Sequence, residues 1–237
     1  MKRRSPLFRY VSGLILMISV QARAYVNLDF ESAILTPTPP GQFGGSVPIG
    51  LALPGWSGYL GTNRVANVLQ NNLTLGNASI DILGPNWNFG GIIEGQYTLV
   101  LQPGVDPFGS GVTVGATVSQ PGLVPSYAKS IQVKASVFSS FAVSLGGQSV
   151  DLIPIGSGPT YTLYAADISS FAGQALTLAV TALPAPNTTD YFDSIVFSAS
   201  PVPEPSVVGL LALGALLFGV LCRFNCFKRQ VVNAVRG

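Results

Sequence analysis

Apolar and polar residues alternate with a period of two through the middle of this sequence. Tyr97, Leu99 and Leu101 share one face of such a segment, and Ile131 and Val133 share one face of another. This spacing is typical of half-buried antiparallel strands, whose successive side chains point to opposite faces of a sheet. It predicts ten strands, over residues 26–31, 56–60, 78–83, 96–102, 112–118, 129–136, 140–145, 161–165, 175–181 and 191–198.

Glycine and proline separate these segments at short intervals. The chain contains 27 Gly and 18 Pro, and many of them fall between predicted strands, as in residues 102–104, 145–147 and 183–186. Many short strands with dense turn residues favour an all-β fold, an antiparallel β-sandwich over residues 25–200. A jelly roll fits this spacing better than an immunoglobulin topology. The Pro- and Gly-rich residues 36–50 are predicted to form a long surface loop.

The N-terminus has the three parts of a secretory signal peptide. Three basic residues occupy positions 2–4, an apolar stretch covers residues 11–20, and Ala22 and Ala24 form a small-x-small cleavage site. Residues 1–24 are therefore predicted to be removed, so that the mature chain begins near Tyr25. An uncleaved anchor helix is the alternative, and in both cases the middle of the chain is exported.

A second apolar segment lies near the C-terminus. Residues 206–222 contain no charged side chain over 17 positions, which is within the range of ~17–25 residues that span a bilayer as a helix. Arg223, Lys228 and Arg229 follow this segment directly. Because basic residues stay on the cytoplasmic side, this order predicts a transmembrane helix with residues 25–200 outside and residues 230–237 in the cytoplasm.

Residues 201–229 resemble a known sorting signal. Pro203, Glu204 and Pro205 precede the apolar segment, and the basic cluster follows it. This order resembles the PEP-CTERM signal of Gram-negative bacteria. The resemblance implies recognition by exosortase, a single-pass stage in the inner membrane, and transfer to the cell envelope, the cell surface or an extracellular matrix.

The charged residues exclude several classes of function. All ten acidic residues but only three basic ones lie within residues 25–205, a net charge of −7, which argues against nucleic-acid binding. The chain has no His, so mechanisms that need an imidazole are excluded. Its two Cys residues cannot form a disulfide framework or a four-thiolate zinc site.

The middle of the chain also resembles the galactose-binding-like jelly rolls of some carbohydrate-binding modules. Residues 27–31, 54–56 and 191–197 occupy the places of their opening strand, Gly-Trp motif and closing strand. In those modules a calcium ion often ties the first strand to the last. The resemblance therefore implies a structural calcium at Glu31 and Asp193, with Asp29 as a further candidate. The alternative is that Glu31 makes hydrogen bonds and Asp193 caps a turn.

One turn-rich segment is the candidate ligand site. Residues 84–91 carry the aromatic side chains Trp87 and Phe89 between the amides of Asn86 and Asn88. Aromatic planes beside a few polar groups suit sugar binding. Tyr59 and Gln102 are possible neighbours, Trp56 is expected in the core, and the alternative for Trp87 is that it packs under its own loop.

Catalysis has little support in the sequence. Glycoside hydrolysis needs two carboxylates that flank one bond, and Asp29 and Glu31 are the one pair at strand spacing on a common face. We therefore expect a non-catalytic, exported protein of the cell surface or extracellular matrix, associated with exopolysaccharide or biofilm. A carbohydrate-binding module with a defined glycan ligand is the first alternative, and a membrane-anchored hydrolase is the second.

Overall fold

The computed structural model describes residues 23–202. Within this range the chain forms one short helix, α1 (Ile49–Ala52), one 3₁₀ turn (Ser169–Phe171) and sixteen strands. The strands are β1 (Ser46–Pro48), β2 (Ser57–Leu60), β3 (Asn63–Val65), β4 (Asn67–Gln70), β5 (Ser79–Leu83), β6 (Thr98–Gln102), β7 (Gly104–Val105), β8 (Thr113–Val114), β9 (Ala116–Leu123), β10 (Ser130–Ser136), β11 (Phe141–Leu145), β12 (Gln148–Ser149), β13 (Ile153–Ser157), β14 (Thr162–Asp167), β15 (Ala175–Ala182) and β16 (Asp190–Ser198).

Two large sheets contain most of these strands. The first has eight strands in the order β1-β4-β5-β6-β16-β10-β14-β13, and the second has six in the order β12-β11-β15-β9-β2-β3. Strands β7 and β8 form a separate pair. Neighbouring strands of the described chain are antiparallel except β4 and β5, which are parallel. The prediction of an all-β chain with antiparallel sheets is confirmed, and the arrangement is consistent with a β-sandwich.

One hydrophobic core lies between the two large sheets. Leu101 and Phe192 of the eight-stranded sheet and Val118 and Val180 of the six-stranded sheet are fully buried in it. Each such side chain stabilises the fold by about 1.5–3 kcal/mol relative to the exposed state. Trp56 also belongs to this core, as the sequence predicts.

The predicted strands from residue 56 onward coincide with observed strands, although the segment 112–118 is divided between β8 and β9. Strand β9 continues to Leu123, through Pro121. Proline is tolerated there because its position lies two residues beyond Ser119, the last residue of β9 that pairs with β2. Residues 36–50 are not wholly a loop, since they include β1 and the start of α1.

The predicted strand 26–31 is wrong. Residues 28–32 form turns and bends, and Asn27 and Phe30 have φ angles of 51° and 60°. Side chains of Asn and Asp favour such turns because they accept hydrogen bonds from nearby backbone amides. Here the Asn27 carboxamide oxygen accepts the Ser32 N–H at 2.9 Å. The turn directs Phe30 into the core beside Trp56, at a ring-centroid distance of 5.7 Å.

Both ends of the described chain lie at the same end of the two sheets. The Tyr25 ring stacks on Phe197 near the end of β16, with centroids 5.2 Å apart. The Arg23 carbonyl accepts the N–H of Leu123 at 2.8 Å. We call this end, where Tyr25 stacks on Phe197, the terminal end.

The predicted signal peptide, apart from Arg23 and Ala24, and the predicted sorting signal from Pro203 onward lie outside the described residues. Ala24 is exposed and forms a parallel bridge with Leu123. Among residues 23–202, no helix has the length and hydrophobicity needed to cross a membrane.

Candidate functional site

Three aromatic side chains form a cluster on the surface, which we call the aromatic surface: Phe43, Trp87 and Phe89. The rings of Phe43 and Phe89 are nearly parallel, with an interplanar angle of 2° and centroids 5.5 Å apart. The Trp87 ring is inclined by 62° to Phe43 and by 63° to Phe89, with centroid distances of 6.1 and 5.0 Å. Two parallel rings and one steeply inclined ring therefore form an angular surface.

The aromatic surface is open to solvent. Phe43 is 61% exposed and Phe89 is 66% exposed, whereas Trp87 is partly buried. The Trp87 indole N–H donates to the Gly90 carbonyl at 2.6 Å. The indole is thus held against its own loop by its polar end, while the two phenyl rings present apolar area to the surroundings.

The two loops that carry these rings are fastened to one buried amide, that of Asn71. Its side-chain nitrogen donates to the Thr38 hydroxyl at 2.6 Å and to the Pro85 carbonyl at 3.1 Å. Its side-chain oxygen accepts the Gly84 N–H at 2.7 Å, and its backbone carbonyl accepts the Gly44 N–H at 3.0 Å. Because Asn71 is completely buried, these bonds are shielded from competition with water.

Asn86 and Asn88 lie on the same loop as Trp87, between β5 and β6. The Asn86 side chain donates to the Thr38 carbonyl at 2.7 Å, so it adds a direct link between the two loops. Asn88 is exposed. The structure does not bring the other two expected neighbours into this site. Gln102 hydrogen-bonds to Thr74 and Ser79, and Tyr59 lies in the six-stranded sheet.

The β5–β6 loop packs against the outer face of the eight-stranded sheet, which faces away from the core. Ile80 and Ile82 of β5 point into the core, so Asp81 and Leu83 point to this outer face. Gly91 of the loop lies so close to Tyr191 that a Cβ atom there would collide with the ring, and its φ of 95° also favours glycine. The residues that cover this face, together with the side chains beneath them, form what we call the outer layer.

Asp81 is the least expected member of the outer layer. Its side chain is completely buried, and its Oδ2 accepts the Asn72 N–H at 2.9 Å. No donor within the described residues reaches its Oδ1. Burial raises the pKa of Asp81 to about 8, and the Asn72 N–H opposes this rise only partly.

Glu31 and Asp193 both accept hydrogen bonds from the chain at the start of β6, Glu31 from the residues just before it and Asp193 from its first residue. The Glu31 carboxylate accepts the N–H groups of Gln96 at 2.9 Å and Tyr97 at 3.0 Å. The Asp193 carboxylate accepts the Thr98 hydroxyl at 2.9 Å and the Ser194 N–H at 2.7 Å. Burial raises the pKa of Asp193 to about 7, and the Glu31 charge adds to that rise.

In this arrangement the three predicted calcium ligands act as hydrogen-bond acceptors. Asp29 directs its Oδ1 to the Glu31 N–H at 3.3 Å, and the oxygens of Glu31 and Asp193 are occupied by the hydrogen bonds described above. Within residues 23–202, no group of three or more acidic or thiol side chains is arranged to hold a metal ion. Calcium prefers six to eight oxygen ligands, and the calcium site at these three residues stays a prediction.

Among the surface cavities of the described residues are three of moderate size. Their volumes are about 440, 360 and 350 Å³, and Asp29 is the one carboxylate among the residues that line them. The buried Asp190 instead holds the turn after β10, since it accepts the N–H groups of Phe138 at 2.7 Å and Ser139 at 3.0 Å. These carboxylates act as hydrogen-bond acceptors for the fold.

No family model matches this chain, and the search of curated proteins finds no match either.

Sequence reasoning missed Phe43 and Asn71. Phe43 lies in a Pro- and Gly-rich stretch without alternation, and 44 positions separate it from Trp87. Asn71 follows the end of β4 and has the sequence context of an ordinary turn residue, although its φ of 47° indicates the left-handed conformation that Asn tolerates.

Proposed function

We propose that this protein is a non-catalytic, exported protein of the cell surface or extracellular matrix, delivered by a PEP-CTERM sorting signal. One observation carries the proposal. Uncharged apolar segments, one preceded and one followed by basic residues, flank a middle that has every acidic residue of the chain. Such a chain has the charge pattern of a protein whose ends interact with the membrane and whose middle is translocated.

The position of the chain ends supports this proposal. Tyr25 stacks on Phe197 at the terminal end, so the first and last described residues lie near each other. A chain attached in this way is held to the envelope at one end. The rest of its surface then faces the extracellular space. We propose the finer fold, a jelly roll, on the basis of the sequence resemblance.

The chemistry of the described carboxylates supports a non-catalytic role. Glu31, Asp190 and Asp193 each accept at least two hydrogen bonds from backbone or hydroxyl donors. A general acid and base for glycoside hydrolysis would instead face each other across an open cleft. The cavities described above have no such pair in their walls.

Mass spectrometry of the mature protein, isolated from its host, tests the proposal because it reports both chain ends. We expect a first residue near Tyr25 and a last residue near Pro203–Pro205, in material from the envelope or the extracellular fraction. The full chain from Met1 to Gly237 in the soluble cytosol would contradict the proposal.

A pair of variants separates the sorting motif from a general effect of proline. Replacement of Pro203, Glu204 and Pro205 by Ala should leave the C-terminal segment attached and the protein in the membrane fraction. The matched control replaces Pro184 and Pro186, which lie in the loop before β16. Normal processing of both variants would refute recognition of the motif.

A further inference from the structure

The aromatic surface is an unusual feature for a folded protein in water. Phe43 and Phe89 leave more than half of their area in solvent, although burying an apolar side chain is favourable. Isolated exposed hydrophobic residues are common, but a contiguous exposed aromatic cluster marks a binding surface. The three rings come from two different loops, so the cluster is a product of the fold.

The surroundings of the rings define the chemistry of the ligand. Residues 36–45 and 84–93, which form the two loops, include no charged side chain. The polar residues next to the aromatic ones in the sequence carry uncharged amides: Gln42, Asn86 and Asn88. Residues 25–205 have a net charge of −7, which repels polyanions such as nucleic acids and anionic lipid surfaces. The surface therefore suits an uncharged ligand with apolar faces and hydroxyl groups.

The site is fixed before any ligand binds. Asn71 and Asn86 join the two loops, and the Trp87 indole is bonded to Gly90 within its own loop. A surface whose parts are held in place loses less conformational entropy on binding than a mobile one. Asn71 is thus a positioning residue, since it is buried and holds both loops without reaching the surface.

We propose that the aromatic surface binds the pyranose rings of a neutral polysaccharide. The apolar face of a pyranose packs on Phe43 or Phe89, the inclined Trp87 ring contacts a neighbouring edge, and the amides of Asn86 and Asn88 meet the hydroxyls. This inference rests on the proposed function, because it names the matrix component that the exported protein contacts.

Native electrophoresis in gels that contain a neutral polysaccharide tests the inference. The probes are hydroxyethyl cellulose, galactomannan and laminarin, with alginate as the charged comparison. We expect at least one neutral probe to retard the protein, and alginate to have little effect. The variants Trp87→Ala and Phe43→Ala should each weaken retardation by roughly tenfold, as for a central aromatic contact.

The matched control is Phe108→Ala. Phe108 is 57% exposed and lies between β7 and β8, outside the aromatic surface. The Phe108→Ala variant should be retarded as strongly as the wild type. Thermal unfolding of each variant distinguishes a loss of binding from a loss of folding. The variant Asn71→Gln keeps all three rings, but its longer side chain does not fit the buried position. It should therefore also weaken retardation.

Three results would overturn the inference. The first is retardation that persists in Trp87→Ala and Phe43→Ala, and the second is the absence of retardation by all three neutral probes. The third is that the rings instead mediate binding to phosphatidylcholine vesicles or self-association in sedimentation velocity. Normal chain ends in Trp87→Ala would show that the proposed export still holds when glycan binding fails.

Discussion

The core between the two sheets and the outer layer are stabilised by different interactions. In the core, side chains such as Leu101, Val118 and Phe192 bury apolar area against one another. In the outer layer, the buried side chains of Asn71 and Asp81 form hydrogen bonds with the backbone of the loops. Asn71 accepts the Gly84 N–H, and Asp81 accepts the Asn72 N–H. The difference shows that hydrophobic burial stabilises the core, whereas hydrogen bonds of buried polar groups stabilise the outer layer. Because these groups are buried, the stability of the outer layer depends on substitution and on pH.

The largest effect is expected in the core. Phe192→Ala removes a fully buried ring and leaves a cavity, and should lower the free energy of unfolding by about 3–5 kcal/mol. Urea denaturation measures this change. Val196→Ala is the matched control, since Val196 lies in the same strand but is 49% exposed, and should change stability by less than about 0.5 kcal/mol. Equal losses in the two variants would contradict the assignment of the core.

A smaller loss is expected for Asn71→Ala in the outer layer. The substitution removes the partner of the Thr38 hydroxyl, the Gly84 N–H and the Pro85 carbonyl, and it places Ala at a φ of 47°. We therefore expect a loss of about 2–3 kcal/mol. Urea denaturation of Asn71→Ala and Asn67→Ala checks this, because Asn67 is an exposed residue of β4. Similar stability of the two variants would show that the buried amide is not an anchor.

Stability should also fall as the pH rises. In the native state Asp81 and Asp193 have pKa values of about 8 and about 7, whereas an unfolded Asp releases its proton near 3.9. Between these values the native state binds more protons than the unfolded state, so stability decreases with increasing pH. The contribution is complete below about pH 4 and is lost as the pH passes through 7 to 8.

The urea midpoint at pH 5 and pH 9 measures this dependence. We expect the wild type to lose stability over this interval, and Asp81→Asn to lose less. Asp167→Asn is the control, since Asp167 is exposed and a hydrogen bond from Ser169 lowers its pKa. A stability that is constant or increases from pH 5 to pH 9 would contradict burial of the two carboxyl groups.

The smallest effect is expected at the ion pair between Lys134 and Glu94, which lies at the rim of the outer layer. The Glu94 side chain is 57% exposed, so water and salt screen the interaction. Lys134→Met should change stability by less than about 1 kcal/mol, and added salt should reduce the difference further. Urea midpoints of the wild type and the variant at low and high salt measure this difference. A large loss of stability that does not depend on salt would show that the ion pair is buried in the outer layer.

The comparison also explains what the sequence could predict. Strands such as β6 and β10 alternate because one face packs on the core, and this period is visible in the residues themselves. Asp81 lies in a strand with no polar neighbour on either side, and nothing local indicates that a loop will cover it. The turns at residues 28–32 are not predictable from alternation, because Leu28 and Phe30 alternate with polar residues as they would in a strand.

The candidate site was predictable in part for the same reason. Trp87, Phe89 and their amide neighbours are adjacent in sequence, so they could be found together as a loop that carries aromatic side chains. Phe43 joins them only through contacts that span the outer layer. Contacts between distant loops depend on the whole fold, and a period in the sequence does not encode them.

Hydrogen exchange of the wild type and Asn71→Ala tests most directly whether the polar outer layer holds the aromatic surface in place. We predict that residues 84–91 exchange much faster in the variant, while β9 and β15, which face the core from the other sheet, keep their protection. Unchanged exchange in residues 84–91 would contradict this account, as would an equal loss of protection in all three segments.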